Sequence, residues 1–238
     1  VRSILIPAVL CLVTTALHAA DLVVRLPDGM KATSAVAINE DDRSQTRGRV
    51  ADDGAIRFTG LAAGVPINVN VTLEGGTVLQ GVNLTWSDDE PGDPDAKPLE
   101  SADLREINQL LTEVRSFYNI SEILFLEGNQ QRAVGLVRLI RDQAFYADKG
   151  GEYIWRIEIY YFKKQYGGWE KVQQANKVLH RERFRSKDAH DQATGRLKFV
   201  PQLGGLRLNE DAPTEVTVPE NAGEPTFKVP DDEDEEDD

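Results

Sequence analysis

The sequence predicts a multidomain β-plus-α protein: a small amino-terminal β-sandwich, an α-helical domain of two helix hairpins, and a disordered acidic tail. Three observations carry this. Between residues 20 and 86, short runs rich in Val, Ile and Thr alternate apolar with polar residues, as where Asn68 and Asn70 interleave with Ile67, Val69 and Val71. That is the period-two pattern of a strand with one buried face. From residue 101 onward, Leu104, Ile107, Leu111, Val114 and Tyr118 recur at steps of three and four, the stripe of an amphipathic helix. The chain closes on eight consecutive carboxylates, residues 231–238, which repel one another and are expected to stay extended.

Residues 1–19, VRSILIPAVLCLVTTALHA, place Arg2 ahead of an apolar stretch from Ile4 to Val13 and end in small residues. This is the layout of a signal peptide, with cleavage expected after Ala19. An initial Val is what a GTG start codon looks like when translated literally, which points to a bacterial precursor. Cys11 sits inside the apolar stretch behind Leu10, where a lipobox needs a small residue, so the exported chain is expected to keep no cysteine. The run is shorter than the roughly 20 apolar residues of a spanning helix. A periplasmic or secreted product without a transmembrane span is therefore expected.

Within residues 20–86 the candidate strands are Leu22–Leu26, Ser34–Asn39, Thr46–Ala51, Ala55–Phe58, Pro66–Leu73 and Val78–Leu84, separated by the turn pairs Asp28-Gly29, Asp53-Gly54 and Gly75-Gly76. Short strands of this number imply two packed sheets. The stretch GRVADDGAIRFTGLAAGVPINVNV, residues 48–71, carries Asp53-Gly54, Phe58, Gly60-Leu61, Gly64 and the alternating strand that follows. It resembles the transthyretin-like or carboxypeptidase-regulatory-like sandwich modules of exported proteins, departing from them at Val65-Pro66. The resemblance implies a stalk, spacer or adhesion module rather than a catalytic one.

Residues 87–100, SDDEPGDPDAKPLE, hold three prolines and six acidic residues and read as a linker. Their acidic spacing lacks the fixed ligand order of a calcium loop, so a solvated hinge is expected. The helical domain spans residues 101–187. Its first helix is capped by Ser101 or Asp103 and runs to Leu126, before Gly128; a second follows Gly128-Asn129 through Ala133, Val137, Ile140 and Phe145. Residues 152–166 fit both periods: Trp155, Ile157, Ile159 and Tyr161 alternate like a strand, while Ile154, Ile157 and Tyr161 share a helical face. The glycines at 167 and 168, followed by Trp169, Val172, Ala175 and Leu179 at helical steps, favour two helix hairpins over a strand hairpin. GGWEKVQQANKVL parallels the earlier EGNQQRAVGLVRL, and the pair is similar to tetratricopeptide-type repeats, although the full signature is missing. That resemblance implies a concave helical surface that binds a partner chain. Residues 188–230 read as an irregular extension with short strands at Leu206–Leu208 and Glu215–Val218.

The whole chain has 27 Lys and Arg against 40 Asp and Glu, a formal charge of −13, which excludes a general nucleic-acid binder. The charge is uneven, since residues 102–199 hold 17 basic and 13 acidic side chains. His180 and His190 stand apart without zinc-ligand spacing and are expected at the surface. No nucleophile elbow, P-loop or dinucleotide fingerprint is present, so no catalytic, cofactor-binding or metal residue is assigned. Weak divalent-cation capture by the acidic tail is consistent with its run of carboxylates.

Most of the aromatic side chains fall between Phe145 and Trp169, beside a basic stretch from Lys163 to Lys187. Aromatic anchors and cations are what partner surfaces reuse, and Trp155, Tyr161, Trp169, Lys163, Lys164, Lys171, Arg181, Arg183 and Arg185 are the candidate partner-binding residues. The expected function is an exported, non-catalytic structural or adaptor subunit of a bacterial envelope assembly, whose partner is another envelope protein. Two other uses of the basic stretch are peripheral contact with an anionic membrane surface and an electrostatic latch by the acidic tail. The alternatives are a module binding a glycan or other cell-surface ligand and an enzyme of unrecognised type.

Overall fold

The computed structural model describes residues 19–86, 93, 95–113, 120–143, 152–172 and 176–224. The signal segment up to residue 18, linker residues 87–92 and 94, and the tail at 231–238 lie outside the described residues. So do Val114, Phe117, Tyr118, Phe145 and Tyr146.

The amino-terminal strands are β1 (Ala19–Arg25), β2 (Ala32–Asn39), β3 (Gln45–Arg47), β4 (Arg49–Val50), β5 (Ile56–Ala62), β6 (Pro66–Leu73) and β7 (Val78–Gly81). β1 and β4 flank β5 in one antiparallel sheet, while β3, β2, β6 and β7 follow in order in another. Leu22, Val24, Ile56 and Phe58 of the first sheet meet Ala37, Val69, Val71 and Leu79 of the second in one core. Each fully buried Val, Leu, Ile or Phe is worth about 1.5–3 kcal/mol relative to exposure. The alternation read in β6 is realised: Ile67, Val69 and Val71 point inward, and Asn68 and Asn70 occupy the opposite face.

Past the linker, α1 (Ser101–Glu113) begins where Asp103 Oδ2 accepts the backbone N–H of Glu100 at 3.0 Å, a side chain in the first turn reaching back to the residue before the helix. Leu104, Ile107 and Leu111 are buried on one side, as their spacing requires. The helix is shorter than expected. Leu124 and Leu126 belong to strand β8 (Ile120–Gly128).

The two helix hairpins expected between residues 101 and 187 are replaced by an antiparallel meander of β8, β9 (Arg132–Gln143), β10 (Glu152–Gln165), β11 (Gly168–Lys171) and β12 (Lys177–Phe184). In their described residues, both glycine-started segments compared with helical repeats form strands, β9 in the first and β11 and the start of β12 in the second. The physical reason is that this sheet is covered on both faces. Trp155, Ile157, Ile159 and Tyr161 of β10 pack with Val134 and Leu136 of β9 against Val82, Leu84 and Phe199. Tyr160 and Phe162 pack with Ala133, Val137 and Leu139 under Leu104, Ile107 and Leu111 of α1. Strands apolar on both faces satisfy helical and strand spacings together.

The glycines at 167 and 168 do not start a helix. Tyr166 and Gly167 have φ of 50° and 90°, the pair of positive φ values that closes a two-residue hairpin. β10 is long enough to hold two partners in tandem on one edge, β12 along residues 153–159 and β11 along 162–165.

The segment read as an irregular extension completes the sandwich. After α2 (Lys187–Arg196), capped by Ser186 accepting from Ala189 N–H, β13 (Leu197–Val200) runs parallel to β7. β14 (Leu206–Arg207) pairs with β6, and β15 (Thr214–Thr217) runs parallel to β1, with an Arg25–Glu215 ion pair alongside. The sandwich is thus built from both ends of the described chain, with the meander inserted between them. The second half of the linker is also fixed to the fold: Pro98 bridges Asn129, and Gln130 N–H donates to the Lys97 carbonyl at 2.8 Å.

The returning segment approaches so closely that a Cβ on Gly204 would lie 2.0 Å from the Val82 carbonyl carbon. Gly204→Ala is expected to cost about 1–3 kcal/mol through this overlap. Gly195→Ala, with nothing within 4 Å of the added carbon, should be neutral or stabilising by up to about 1 kcal/mol in α2. Urea unfolding of both variants checks the contrast.

Candidate partner-binding edge and amide cleft

The aromatic residues proposed as anchors lie inside the protein. Trp155 is 2% exposed, with its ring 4.5 Å from His180 and stacked at 6.2 Å on Phe184. Tyr161 is buried, meets Trp86 edge-on at 5.3 Å and donates its hydroxyl to the Thr85 carbonyl at 3.5 Å. Trp169 lies on the opposite side of the meander, where its Nε1 donates to Asp103 Oδ1 at 2.9 Å. The sequence could not separate core from interface here, because a dense aromatic run serves both.

The cations divide. Lys164 Nζ donates to Asp103 at 2.7 Å and sits over the Trp169 ring, Lys171 lies over Tyr160, and Lys163 is half-buried opposite Glu170. Arg181, Arg183 and Arg185 remain exposed, with Lys177 and Lys187 at either end of the same stretch. From Lys177 to Lys187 the chain has five cations against one carboxylate, Glu182. β12 pairs β10 on one side, and among the described residues no strand pairs its other edge. The register sets Arg181 and Arg183 opposite Arg156 and Ile154, so their side chains leave the same face of the strand, about 6.6 Å apart along it. His180, Glu182 and Phe184 take the other face.

The histidines differ from the surface placement expected. His190 is buried, edge-on to Phe184 at 5.4 Å, with Nδ1 3.0 Å from Asp191 Oδ1. That hydrogen bond is the main cause holding the Asp191 carboxyl below its ordinary range. His180 is half-buried against Trp155, with Nε2 3.1 Å from Glu182.

Next to the amino-terminal end of β12, a cleft of about 460 Å³ opens between the outer face of β6–β7 and the meander. The amides that interleave with the core residues of β6 point here. Glu40 accepts from Asn68 Nδ2 at 2.6 Å and Asn83 Nδ2 at 3.2 Å. Each amide is fixed at its other end, Asn68 Oδ1 by Gly205 N–H and Asn83 Oδ1 by Thr85 N–H. Asn70 Oδ1 is buried without a partner, and Tyr161, Lys177, Val178 and Leu179 close the far side. Burial, helped by the Glu40 charge, pushes the Tyr161 hydroxyl above its ordinary pKa. One oriented carboxylate among amides, with Arg43 and Lys177 also on the wall, suits recognition of a polar ligand.

Sequence reasoning missed Glu40, Asn68, Asn70 and Asn83 as a group. The signal was the amide face of β6; its partners lie far away in sequence and meet through the fold. Among the described residues no group of three or more His, Cys, Asp or Glu is placed to hold a metal ion, and no helix is long and apolar enough to cross a membrane.

The fold and this site define a β-rich protein with two helices, a sandwich with an inserted meander, in which a cationic strand left unpaired on one edge among the described residues lies beside an amide cleft. Comparison of the chain with family models, curated proteins and solved structures yields no significant match.

Proposed function

We propose that the protein is an exported, non-catalytic adaptor or structural subunit of a bacterial envelope assembly that captures an acidic, extended segment of a partner protein along β12. The observation that carries this reading is the strand itself: one edge is unpaired among the described residues, and its exposed side chains include Lys177, Arg181 and Arg183, with Arg185 following. An extended chain added to such an edge gains main-chain hydrogen bonds, and side chains at alternate positions supply selectivity. Cations selected for an acidic partner also discourage pairing between two copies of the same edge. The signal-like residues 1–19 support export, and the module resemblance of residues 48–71 supports a structural role. Trp155 acts in this reading as the scaffold that holds β12 in place through His180 and Phe184, while Tyr161 and Trp169 belong to the packing on the two faces of β10–β11.

The test is a titration with a fluorescent ten-residue peptide rich in Asp and Glu, at low and high salt. Binding should weaken as salt rises. The triple variant Arg181→Glu, Arg183→Glu, Arg185→Glu should lose at least about tenfold in affinity, as expected when charge-assisted contacts worth 1.4 kcal/mol or more are removed. Affinity that is unchanged in the variant and insensitive to salt would overturn the proposal.

A second reading, a glycan or other cell-surface ligand held in the cleft, is favoured by the unpartnered Asn70 Oδ1 and the oriented Glu40. It is separated from the first by Glu40→Gln, which should weaken a cleft ligand and leave peptide capture on β12 intact.

A further inference from the structure

A second cavity, of about 230 Å³, lies on the sandwich-facing side of the meander, under the α2–β13 segment. Two of its lining side chains carry buried N–H groups without a partner: Trp155 Nε1 and Arg138 Nε. Buried donors in a folded protein are satisfied in the great majority of cases, by protein or by something bound. Trp155 is held rigidly between His180 and Phe184, and Arg138 is tied through Nη2 to Glu122, so neither can swing away to find another partner.

The register makes the two donors neighbours. Trp155 lies opposite Ile140 and Arg138 opposite Ile157, which puts them on one face as a diagonal pair, roughly 7–8 Å apart at the backbone and within reach of each other's side chains. Arg138 and Lys198 face the cavity against the single carboxylate of Glu122, leaving one positive charge in excess. Apart from Thr194, whose hydroxyl donates to backbone carbonyls of α2, the remaining side chains of the wall are apolar, Phe125, Ile157 and Phe199 among them.

We infer that this cavity is a binding site for a small monocarboxylate with an apolar body. One carboxylate oxygen accepts from Trp155 Nε1 and the other from Arg138 Nε, while the hydrocarbon part lies against Phe125, Ile157 and Phe199. An apolar cavity of about 150 Å³ accommodates benzene, so this one has room for a phenyl ring bearing a short acid arm or for a medium-chain fatty acid. The site is independent of the β12 edge, and either can fail without the other.

The experiment follows the indole N–H resonances of the full chain by heteronuclear NMR, with Trp155 assigned through Trp155→Phe. Phenylacetate and octanoate are the probes, and phenylacetamide and octanol the uncharged controls. The expected result is a saturable shift of the Trp155 N–H with the acids and at least about tenfold weaker binding of the controls. Arg138→Lys, which keeps the charge and removes the Nε donor, should weaken the acids at least about tenfold; if that variant does not fold, the comparison of acids with controls on the wild-type chain decides. No saturable shift with either acid, which would leave the two donors to buried water alone, overturns the proposal. Equal binding of octanol and octanoate overturns it as well, because the cavity would then be an apolar hole without carboxylate recognition.

Discussion

Trp155→Ala lowers the free energy of unfolding by about 3–5 kcal/mol, the range for truncating a large buried aromatic. The indole is 2% exposed and stands where three parts of the fold meet. It stacks on Phe184 of β12, flanks His180 and shares its cluster with Val82 and Leu84 from the sandwich side and Phe199 of β13. Truncation leaves a cavity beside one that already exists, and the cluster that joins meander to sandwich loses its largest member. Tyr166→Ala, at a fully exposed turn residue in the same aromatic run, should change stability by no more than about 0.5 kcal/mol. Equilibrium unfolding in urea checks both. A Trp155→Ala cost below about 1 kcal/mol would mean that the indole is a surface anchor after all.

Asp103→Ala should be comparably damaging. Its carboxylate is 4% exposed and accepts from Lys164 Nζ at 2.7 Å, Trp169 Nε1 at 2.9 Å and the Glu100 N–H at 3.0 Å. It therefore pins the start of α1 to the β10–β11 hairpin. Removing one partner of a buried ion pair leaves the other uncompensated, at a cost of about 3–5 kcal/mol. Burial by itself would raise the Asp103 pKa, but the bonds from Lys164, the Glu100 backbone and Trp169 outweigh it and hold the carboxyl below its ordinary value.

The sign of the pH effect follows. A group whose folded pKa is depressed contributes its full stabilisation above the unfolded value near pH 3.9 and loses it as pH falls through the lower folded value. The stability difference between wild type and Asp103→Ala should be constant near neutrality and shrink on acidification below about pH 4. Urea midpoints across that range test it, and a difference that does not change with pH would contradict the assignment of Asp103 as the ionised hub.

β1, β2, β5 and β6 were readable because each has one wet face, whereas the single strand expected over Thr46–Ala51 is split at Gly48 into β3 and β4, which join different sheets. In β6, Val and Asn alternate without interruption, and its observed bounds, Pro66–Leu73, are those the pattern indicates. The start of α1 was readable for the same reason, through Leu104, Ile107 and Leu111. The meander was not, because a sheet covered by α1 on one face and by the sandwich on the other has apolar residues at every spacing. The end of α1 was lost in the same way, Leu124 and Leu126 continuing the helical stripe into β8. The tandem pairing of β10 with β11 and β12 depends on contacts that no local pattern announces.

The candidate site was legible as a run of cations and illegible as a surface. Which cations are drawn into the fold is decided by pairings such as Lys164 with Asp103, 61 residues apart in sequence, and the cleft depends on Glu40 meeting Asn83, 43 residues away. The return of β13, β14 and β15 to the sandwich was likewise invisible, although two of the short strands involved were expected close to their observed positions.

The central claim is that β12 is an open edge for an acidic extended chain, and amide hydrogen exchange on the full chain tests it most directly. With a saturating Asp- and Glu-rich peptide, exchange should slow across Val178–Phe184 and stay unchanged along β8, the opposite edge of the same sheet. Unchanged exchange in Val178–Phe184, with any protection falling instead on β6 and β7 at the cleft, would contradict it.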